Sequence, residues 1–198
     1  MALRYLVWAV LLAGCGAGRP SPQTGEPLRE TLLNHLYVVV SDFTTGGVVK
    51  RDLRTGKWDT TVLPAHADAL ARWSHFTNEL LVLNRLAGNH LTVTSPQFAM
   101  RTQIGFADAA NPQDILPLSI EQAYVASLHD THLRRWNLRT GQAVGEGIDL
   151  SPWKDVDGYT EASYLHASVD RVALTLQQLD TRTRSEEHTS ELQSRLQI

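Results

Sequence analysis

The sequence has little cysteine, little excess charge of either sign and no long hydrophobic run. One cysteine in 198 residues excludes a disulfide framework and a zinc centre built from several thiolates. The 18 basic and 21 acidic side chains give a formal net charge of −3, which does not favour nucleic acid as a partner. A composition of 42% hydrophobic and 20% charged residues is typical of a globular protein.

The first fifteen residues combine a positive charge at Arg4, an apolar run over residues 5–13 and small residues before the cysteine. The run is too short to span a bilayer and is typical of a secretory signal. The string Leu12-Ala13-Gly14-Cys15 resembles the lipobox of bacterial lipoproteins. The resemblance implies that residues 1–14 are removed as a signal peptide and that the Cys15 thiol carries the lipid anchor. A simple secretory signal and a buried apolar strand with a free cysteine are the alternatives.

The residues after the anchor predict the location of the protein. Residue 16 is glycine, not the aspartate that resembles an inner-membrane retention signal, so we expect an outer membrane lipoprotein of the bacterial cell envelope, facing the periplasm or the surface. Residues 15–30, with three prolines and three glycines, are expected to form a flexible tether behind the lipidated cysteine.

The C-terminal residues resemble sequencing-adapter translation rather than protein. Residues 184–194 read RSEEHTSELQS, which is similar over all eleven positions to the conceptual translation of a common library adapter. We therefore expect residues 184–198 to be an artefact and the gene to have been cut near Asp180. A polar natural tail is the alternative.

A repeat of 42 to 43 residues lies between the two ends. The strings DLRTGK (52–57) and NLRTGQ (137–142) are nearly identical, and a third copy lacks the Thr-Gly pair. Each unit predicts four antiparallel strands, and helical periodicity is missing from 31 to 183. The predicted strands, in order within each unit, are 36–40, 80–83 and 123–127; 48–52, 91–93 and 133–137; 58–63, 100–104 and 142–147; and 69–73, 114–118 and 161–165.

These units resemble the YVTN-type propeller repeat. The shared features are the Leu36-Tyr37-Val38 opening, the turn from Asp52 to Lys57 and the strand start from Asn111 to Ile115. The resemblance implies an all-β fold over residues 31–183, a partial β-propeller of about three to four four-stranded blades. Such rings usually have seven blades, so we expect a fragment of a larger ring. The spacing also suits WD40 repeats, whose signatures are missing, and a β-sandwich is the structural alternative.

The loops of one propeller face supply the candidate ligand-binding residues. Loops that join strands two to three and four to one lie on one face of such blades. The predicted ligand-binding residues are Asp42, Arg85, His129, Asp130, His132 and Trp153, and further polar loop residues are Thr44, His66, Asp68, Asn89, Asp108, Asn111, Asp114 and 155–159. The alternative interpretation is that Asp and Asn here form solvated turns with their own backbone.

No motif predicts catalysis, a metal or a cofactor. His129-x-x-His132 lacks the helical spacing that aligns two imidazoles on a metal. Asp155-x-Asp157-Gly158 opens like a calcium loop but has no later bidentate glutamate. The nucleophile-elbow, Walker and dinucleotide motifs are absent. Trp153 in its long loop is a candidate for stacking on a sugar.

Three functional hypotheses follow. The preferred one is a non-catalytic, lipid-anchored scaffold with a protein or glycan partner, no nucleic acid, and the membrane reached through the anchor. The second is a propeller enzyme or redox-linked subunit, lactonase-like or quinoprotein-like, whose site is completed by missing blades. The third is a structural partner of an assembly machine in the outer membrane. Fold alone does not choose among them.

Overall fold

The computed structural model describes residues 34–106 and 110–177. Regular structure in these two stretches is β-sheet, apart from one turn of 3-10 helix at Ser151–Trp153. The prediction of an all-β fold is therefore confirmed. None of the helical structure in these stretches is long and apolar enough to cross a membrane. The signal segment, Cys15, the tether, Asp108 and the adapter-like tail lie outside the described residues.

The chain divides into two units, Met1–Ala67 and Asp68–Ile198, and the described part of the first unit, residues 34–67, forms one sheet. Its strands are β1 (His35–Ser41), β2 (Gly46–Asp52) and β3 (Leu63–Ala65), all antiparallel, with β2 in the middle. The valine-rich sequences of β1 and β2 favour extended backbone, since β-branched side chains fit a pleated surface.

The second unit begins with a sheet whose strands pair in chain order. They are β4 (Ala69–Ser74), β5 (Glu79–Asn84), β6 (His90–Thr94) and β7 (Met100–Gly105), and each is antiparallel to the next. Strand β5 is buried on both of its faces, which explains its uninterrupted apolar sequence.

A third sheet follows, and its outermost position is divided between two short strands. It contains β8 (Pro112–Pro117), β9 (Gln122–Ser127), β10 (His132–Asn137), β11 (Gln142–Ala143) and β12 (Ile148–Asp149). Strand β11 pairs with one end of β10 and β12 pairs with the other end. The chain between β11 and β12 therefore leaves the sheet and returns to it.

Gly147 allows that return. Its φ is +92°, and a Cβ atom there would lie 2.8 Å from the carbonyl oxygen of Leu133 on β10. A side chain at this position would force the backbone away from β10, so glycine is required by both conformation and space.

The last described element is a hairpin of β13 (Ala162–Ala167) and β14 (Val172–Leu176), with β13 packed beside β8.

Two apolar clusters hold the second unit together. One joins the second and third sheets and the other joins the third sheet to the hairpin, so the third sheet is covered on both faces. The first contains Leu81, Leu83, Leu91, Val93, Ile104, Ile115, Ala123, Val125 and Leu138, and the second Leu116, Ala126, Leu133, Leu150, Ala162, Leu165 and Leu174.

The two copies of the repeated turn adopt the same geometry. Asp52 Oδ1 accepts hydrogen bonds from the amides of Arg54 and Thr55, at 2.8 and 3.1 Å. Asn137 Oδ1 accepts the equivalent bonds from residues 139 and 140, at 2.8 and 2.9 Å. The glycines that close the turns, Gly56 and Gly141, both have a φ of +71°. Aspartate and asparagine can replace each other at this position because a single side-chain oxygen accepts both hydrogen bonds.

The predicted grouping of strands into units is wrong by one strand. Residues 69–73, 114–118 and 161–165 were expected to close their own units. Strands β4, β8 and β13 instead pair with the strand that follows each of them, and so begin the next sheet. Sequence similarity locates a repeat but not its phase, because strand pairing is made by backbone groups that every residue carries. Two of the three predicted third strands are shorter than expected, since β3 begins at Leu63 after an isolated bridge of Trp58 to Arg51, and β11 ends at Ala143. The strand predicted at 100–104 is present as β7.

Candidate functional site

The β5–β6 loop places Arg85 at the edge of the second sheet. Its guanidinium group donates to the carboxylate of Asp68, with 2.9 Å from Nε to Oδ1, and to the amide oxygen of Gln113 at 3.3 Å. The backbone amide of Arg85 also donates to the Asp68 carbonyl. Arg85 therefore ties the residue that precedes β4 to β8 of the next sheet. All three of its guanidinium nitrogens donate to acceptors inside the protein.

Asn111 joins three loops at the same edge. Its side-chain oxygen accepts hydrogen bonds from the amide of Leu86 at 3.1 Å and from Nε2 of Gln113 at 2.9 Å. Its carbonyl accepts from the amide of Leu128 at 3.1 Å. Hydrogen bonds to Asn111 thus hold the β5–β6 loop, which carries Arg85, and the β9–β10 loop, which carries His129, at one edge of the sheet.

Asp130 organises the β9–β10 loop rather than pointing into open solvent. Its carboxylate accepts from the guanidinium of Arg134 and from the amide of His132, the latter at 3.0 Å. Its carbonyl accepts from the hydroxyl of Thr160 at 2.8 Å. The side chain is 17% exposed. These contacts favour the turn-forming interpretation of Asp130.

His129 and His132 are not brought together as a metal site. The His129 ring packs on Tyr159 with 4.8 Å between centroids, whereas His132 Nδ1 lies 3.2 Å from the hydroxyl of Thr131. No group of three or more histidine, cysteine or acidic residues in the described ranges could hold a metal ion. Asp157, from the calcium-like string, accepts from the Tyr159 amide at 2.9 Å and shapes a tight turn.

Asp42 belongs to a turn of the first unit, and Trp153 belongs to the 3-10 turn of the second unit. Asp42 belongs to the first unit, where it shapes the β1–β2 turn by accepting from the amides of Thr44 and Thr45 at 2.8 and 2.6 Å. These amides, that of Thr45 above all, stabilise the charged carboxylate and hold the pKa of Asp42 below its usual 3.8. Trp153 ends the 3-10 turn and is 39% exposed.

The structure reveals a charged pair that the sequence reading missed. Asp114, predicted as a loop ligand, is on β8 and 1% exposed. The guanidinium of Arg72 on β4 donates to both of its oxygens: Nε to Oδ1 at 3.1 Å, and Nη2 to Oδ1 and Oδ2 at 2.7 and 2.6 Å. The Leu165 amide on β13 donates to Oδ2 at 2.8 Å, and the ring of Tyr164 lies 5.8 Å from Arg72 Cζ. One carboxylate therefore connects the first strands of three successive sheets. The arginine in the centre of the β4 sequence was the available signal.

The opposite edge of the second unit carries exposed apolar side chains. The loop before the second strand of each sheet presents one of them: Phe76 is 53% exposed, Ile120 58% and Val169 fully exposed. Turn positions are normally polar, so a large apolar side chain at three equivalent tips is a departure from the usual pattern.

Comparison with known proteins gives the fold and no family. No family model matches the chain, and no curated protein matches its sequence. Among solved structures, it is similar to the WD40 repeats of RRP9 with a TM-score of 0.53 and 13% identity, over 73% of this chain and 42% of that one. The fold is a partial β-propeller. The chain spans less than half of the RRP9 structure that it matches, and an identity of 13% establishes nothing beyond the fold.

Two further solved structures are similar to the chain at lower TM-scores. One is Kuenenia stuttgartiensis hydrazine synthase, with a TM-score of 0.47 and 16% identity, over 75% of this chain and 54% of that one. The other is the dihydro-heme d1 dehydrogenase NirN in complex with DHE, with a TM-score of 0.46 and 13% identity, over 72% of this chain and 40% of that one.

The propeller fold assigns each strand of the second unit to a blade and to a position within that blade. The second and third sheets are two successive blades, and the hairpin supplies the first two strands of another. Strand β8 contacts both β4 and β13, so these first strands mark the inner side of the blades. The pair of Arg72 and Asp114 lies on that inner side. The loops that carry Phe76, Ile120 and Val169 come directly after these first strands in the sequence.

Proposed function

We propose that this chain is a lipid-anchored propeller of the bacterial envelope that binds another protein. The observation that carries the proposal is the row of apolar side chains at the tips of successive blade hairpins: Phe76, Ile120 and Val169. Exposed apolar groups cost solubility, and contiguous ones on a rigid frame are typical of protein-binding surfaces. The polar residues of the other edge support the same role, because their hydrogen bonds fix the loops rather than leave reactive groups free.

The anchor is part of the proposal. Lipidation of Cys15 would hold the propeller at a membrane surface, with residues 16–30 as a tether and the outer membrane as the expected site. Each buried methylene of the lipid contributes about 0.8 kcal/mol, so multiple acyl chains would hold the protein permanently. A binding protein confined to a surface meets its partner at a raised local concentration.

We also propose that the intact protein has more blades. Strand β1 corresponds to β9, since the turns after β2 and β10 are equivalent. β9 pairs with β8 on its inner edge, whereas among the described residues β1 pairs with β2 alone. The β13–β14 hairpin likewise has two of the four strands of a blade in the described ranges. Further strands of the same polypeptide would complete both, in a ring that usually has seven blades.

Crosslinking in intact cells tests the binding role. The full chain, expressed in its native envelope, is treated with an amine-reactive crosslinker, and the covalent products are identified by mass. We expect one partner protein to be recovered in a product of constant mass, and recovered again when the partner itself is tagged. Products containing this chain alone, or none, would overturn the proposal.

A further inference from the structure

The repeated turn of the first sheet carries an excess of positive charge. Residues 51–58 contain three cations and one acid, which is a net charge of +2: Arg51, Arg54, Lys57 and Asp52. The adjoining Lys50 and Asp59 pair with each other at 3.2 Å, so they leave this excess unchanged.

Two cations of this basic turn face solvent without a close ionic partner. Arg54 is 66% exposed, and its ion pair with Asp52 is long, with 3.8 Å from Nη2 to Oδ2. The other oxygen of Asp52 is already bonded to the amides of residues 54 and 55. Lys57 is exposed, and its ammonium group has no acceptor in the part of the chain that the structure describes. Their donors are therefore available to an anion from outside the protein.

The equivalent turn of the third sheet lacks this excess. Gln142 stands there in the place of Lys57, and an asparagine in the place of Asp52. Its one cation, Arg139, is paired with Glu121 at 2.9 Å. The two copies share a backbone geometry and differ in charge, so the fold does not explain the cations of the first copy.

The chain enters the first sheet beside the basic turn. The Asn34 carbonyl accepts from the amide of Leu53 at 2.7 Å, and in the third sheet the Glu121 carbonyl accepts from the amide of Leu138 at 2.6 Å. Asn34 therefore has the position that Glu121 has in the third sheet. A neutral residue here leaves Arg54 without the acid that its counterpart in the third sheet binds.

Further blades would leave the outer positions of this turn open. The third sheet is covered on both of its faces, yet Arg139 is 69% exposed there, and residues 142 and 143 are exposed as well. These positions correspond to 54, 57 and 58 of the first sheet. Exposure at the basic turn is thus a property of the blade and not of a missing neighbour.

An indole lies against the basic turn. Trp58 is 52% exposed, and the Arg51 guanidinium carbon lies 5.5 Å from its ring centroid. Arg51 Nε also donates to the Gly56 carbonyl at 3.1 Å, so this arginine holds the indole beside the turn. The residue in the same place in the third sheet is Ala143. Tryptophan with lysine and arginine is typical of protein surfaces at the boundary between membrane and water.

The proposed anchor keeps the basic turn close to a membrane. Residues 16–33 join Asn34 to Cys15, where the lipid would be attached. A flexible chain of roughly 20 residues has an average end-to-end distance of about 25 Å. The first sheet would therefore lie within a short distance of the lipid surface, with the end that carries the basic turn attached to the tether.

We propose that the basic turn binds the anionic headgroups of the membrane that holds the anchor. Arg54 and Lys57 would donate to headgroup phosphates, and Trp58 would lie at the level of the headgroups. One cation beside an anionic lipid surface strengthens binding about five-fold. The inference rests on the proposed lipid anchor and adds a second contact, which determines which end of the first sheet faces the membrane.

Fluorescence quenching by labelled lipids tests this contact. Cys15 is the single cysteine and would be consumed by the lipid, so a fluorescent label can be attached at Thr55→Cys alone. Thr140→Cys, at the same place in the third-sheet turn, is the matched control. The full lipidated chain is reconstituted in vesicles of phosphatidylcholine, or of phosphatidylcholine with about 30% phosphatidylglycerol. Both carry a nitroxide on the headgroup of a minor lipid.

The anionic vesicles should bring the basic turn to the surface. We expect the label at residue 55 to be quenched at least three-fold more in the anionic vesicles than in phosphatidylcholine alone. The label at residue 140 should be quenched equally in both. Raising the salt from about 50 to 500 mM should remove the difference, because exposed charges are screened.

Matched variants locate the contact. Arg54→Gln combined with Lys57→Gln is expected to return the quenching at residue 55 to its level in phosphatidylcholine. Arg139→Gln, at the equivalent of position 54, is expected to change nothing. Both altered side chains of the double variant are exposed, and glutamine is the natural residue at 142, so an unchanged melting temperature is the check on folding.

The outcomes separate the contact from the anchor. Equal quenching at residue 55 in the two kinds of vesicle, or a double variant that behaves like Arg139→Gln, overturns the contact. A purified chain without lipid on Cys15 overturns the anchor, and sedimentation of that chain with the anionic vesicles then decides the contact. The contact stands if the double variant lowers the bound fraction at least five-fold, and it fails if the bound fraction is unchanged.

Discussion

The guanidinium of Arg72 and the buried carboxylate of Asp114 form a bidentate pair between the first strands of two successive blades. The same carboxylate accepts from the backbone of β13 in the next blade. Removing either member of a buried ion pair lowers the free energy of unfolding, because the charge that remains is neither paired nor solvated.

We expect Asp114→Ala to lower the free energy of unfolding by about 3 kcal/mol, since it leaves Arg72 and the Leu165 amide without an acceptor. Urea unfolding followed by tryptophan fluorescence measures the change. Arg72→Met and the double variant complete a cycle, and a coupling energy below about 0.5 kcal/mol would show that the pair is not a unit. If Asp114→Ala does not fold, Asp114→Asn keeps an oxygen for Leu165 and allows the same cycle.

The two glycines between β11 and β12 provide a matched test of close approach. Both have positive φ, but a Cβ at Gly147 would meet the Leu133 carbonyl at 2.8 Å, whereas nothing lies within 4 Å of one at Gly145. We expect Gly145→Ala to cost about 1 kcal/mol for the backbone conformation alone. Gly147→Ala should cost roughly 2 to 3 kcal/mol because strain at the contact is added. Equal losses in the two urea curves would contradict the pairing of β12 with β10.

The pKa of Asp42 sets a pH dependence at the β1–β2 turn. Its pKa is held below 3.8 by the amides of Thr45 and Thr44, so the charged form stabilises the turn. That contribution is complete above pH 3.8 and is lost as the pH falls through the lower pKa of the folded state. A carboxyl NMR titration should place the midpoint below 3.8, and Asp42→Asn, which keeps the accepting oxygen, should remove the dependence. A midpoint at or above the usual value would contradict the turn geometry.

Cys15→Ser tests the anchor. We expect the unaltered protein to be recovered in the membrane fraction with the mass of a lipidated residue at its N-terminus, and the variant to lose both properties. Gly16→Asp should keep the lipid and move the protein to the inner membrane. A Cys15→Ser protein that is still acylated would overturn the prediction.

Metal analysis separates the scaffold from a metal-dependent enzyme. We expect less than 0.1 equivalent of any transition metal after purification, and an unchanged melting temperature in the presence of a chelator. His129→Ala with His132→Ala should behave in the same way. Stoichiometric metal that is lost in this double variant would instead favour catalysis at the loop edge.

The strand positions and the repeated turns could be predicted because they depend on neighbours in sequence. Asp52 and Asn137 bond to amides two and three residues away, and that geometry follows from the local string. The phase of the repeat could not be predicted, since nothing in residues 69–73 says which neighbour they pair with. The correct grouping needed the backbone hydrogen bonds of β4 and β5.

The candidate residues were predicted by type, and their ligand-binding role stays a prediction. Arg85 and His129 do belong to one edge, but Asp130 serves its own loop and Asp114 is buried on a strand. Polar residues in a sequence look alike whether they face a ligand or a backbone amide. The pair of Arg72 and Asp114 was missed because 42 residues separate its members. The exposed apolar side chain of Ile120 was missed because a single apolar residue in a turn carries no pattern.

The divided outer strand of the third sheet also governs how molecules of this protein could associate. In the part of the chain that the structure describes, β7 is the last strand of its sheet, and its six continuous residues could pair with a strand of another molecule. Strands β11 and β12 present two residues each, with a turn between them. Short, interrupted edges do not template intermolecular β-sheet. Of these two blades, the second sheet is therefore the one through which unwanted fibre growth would begin.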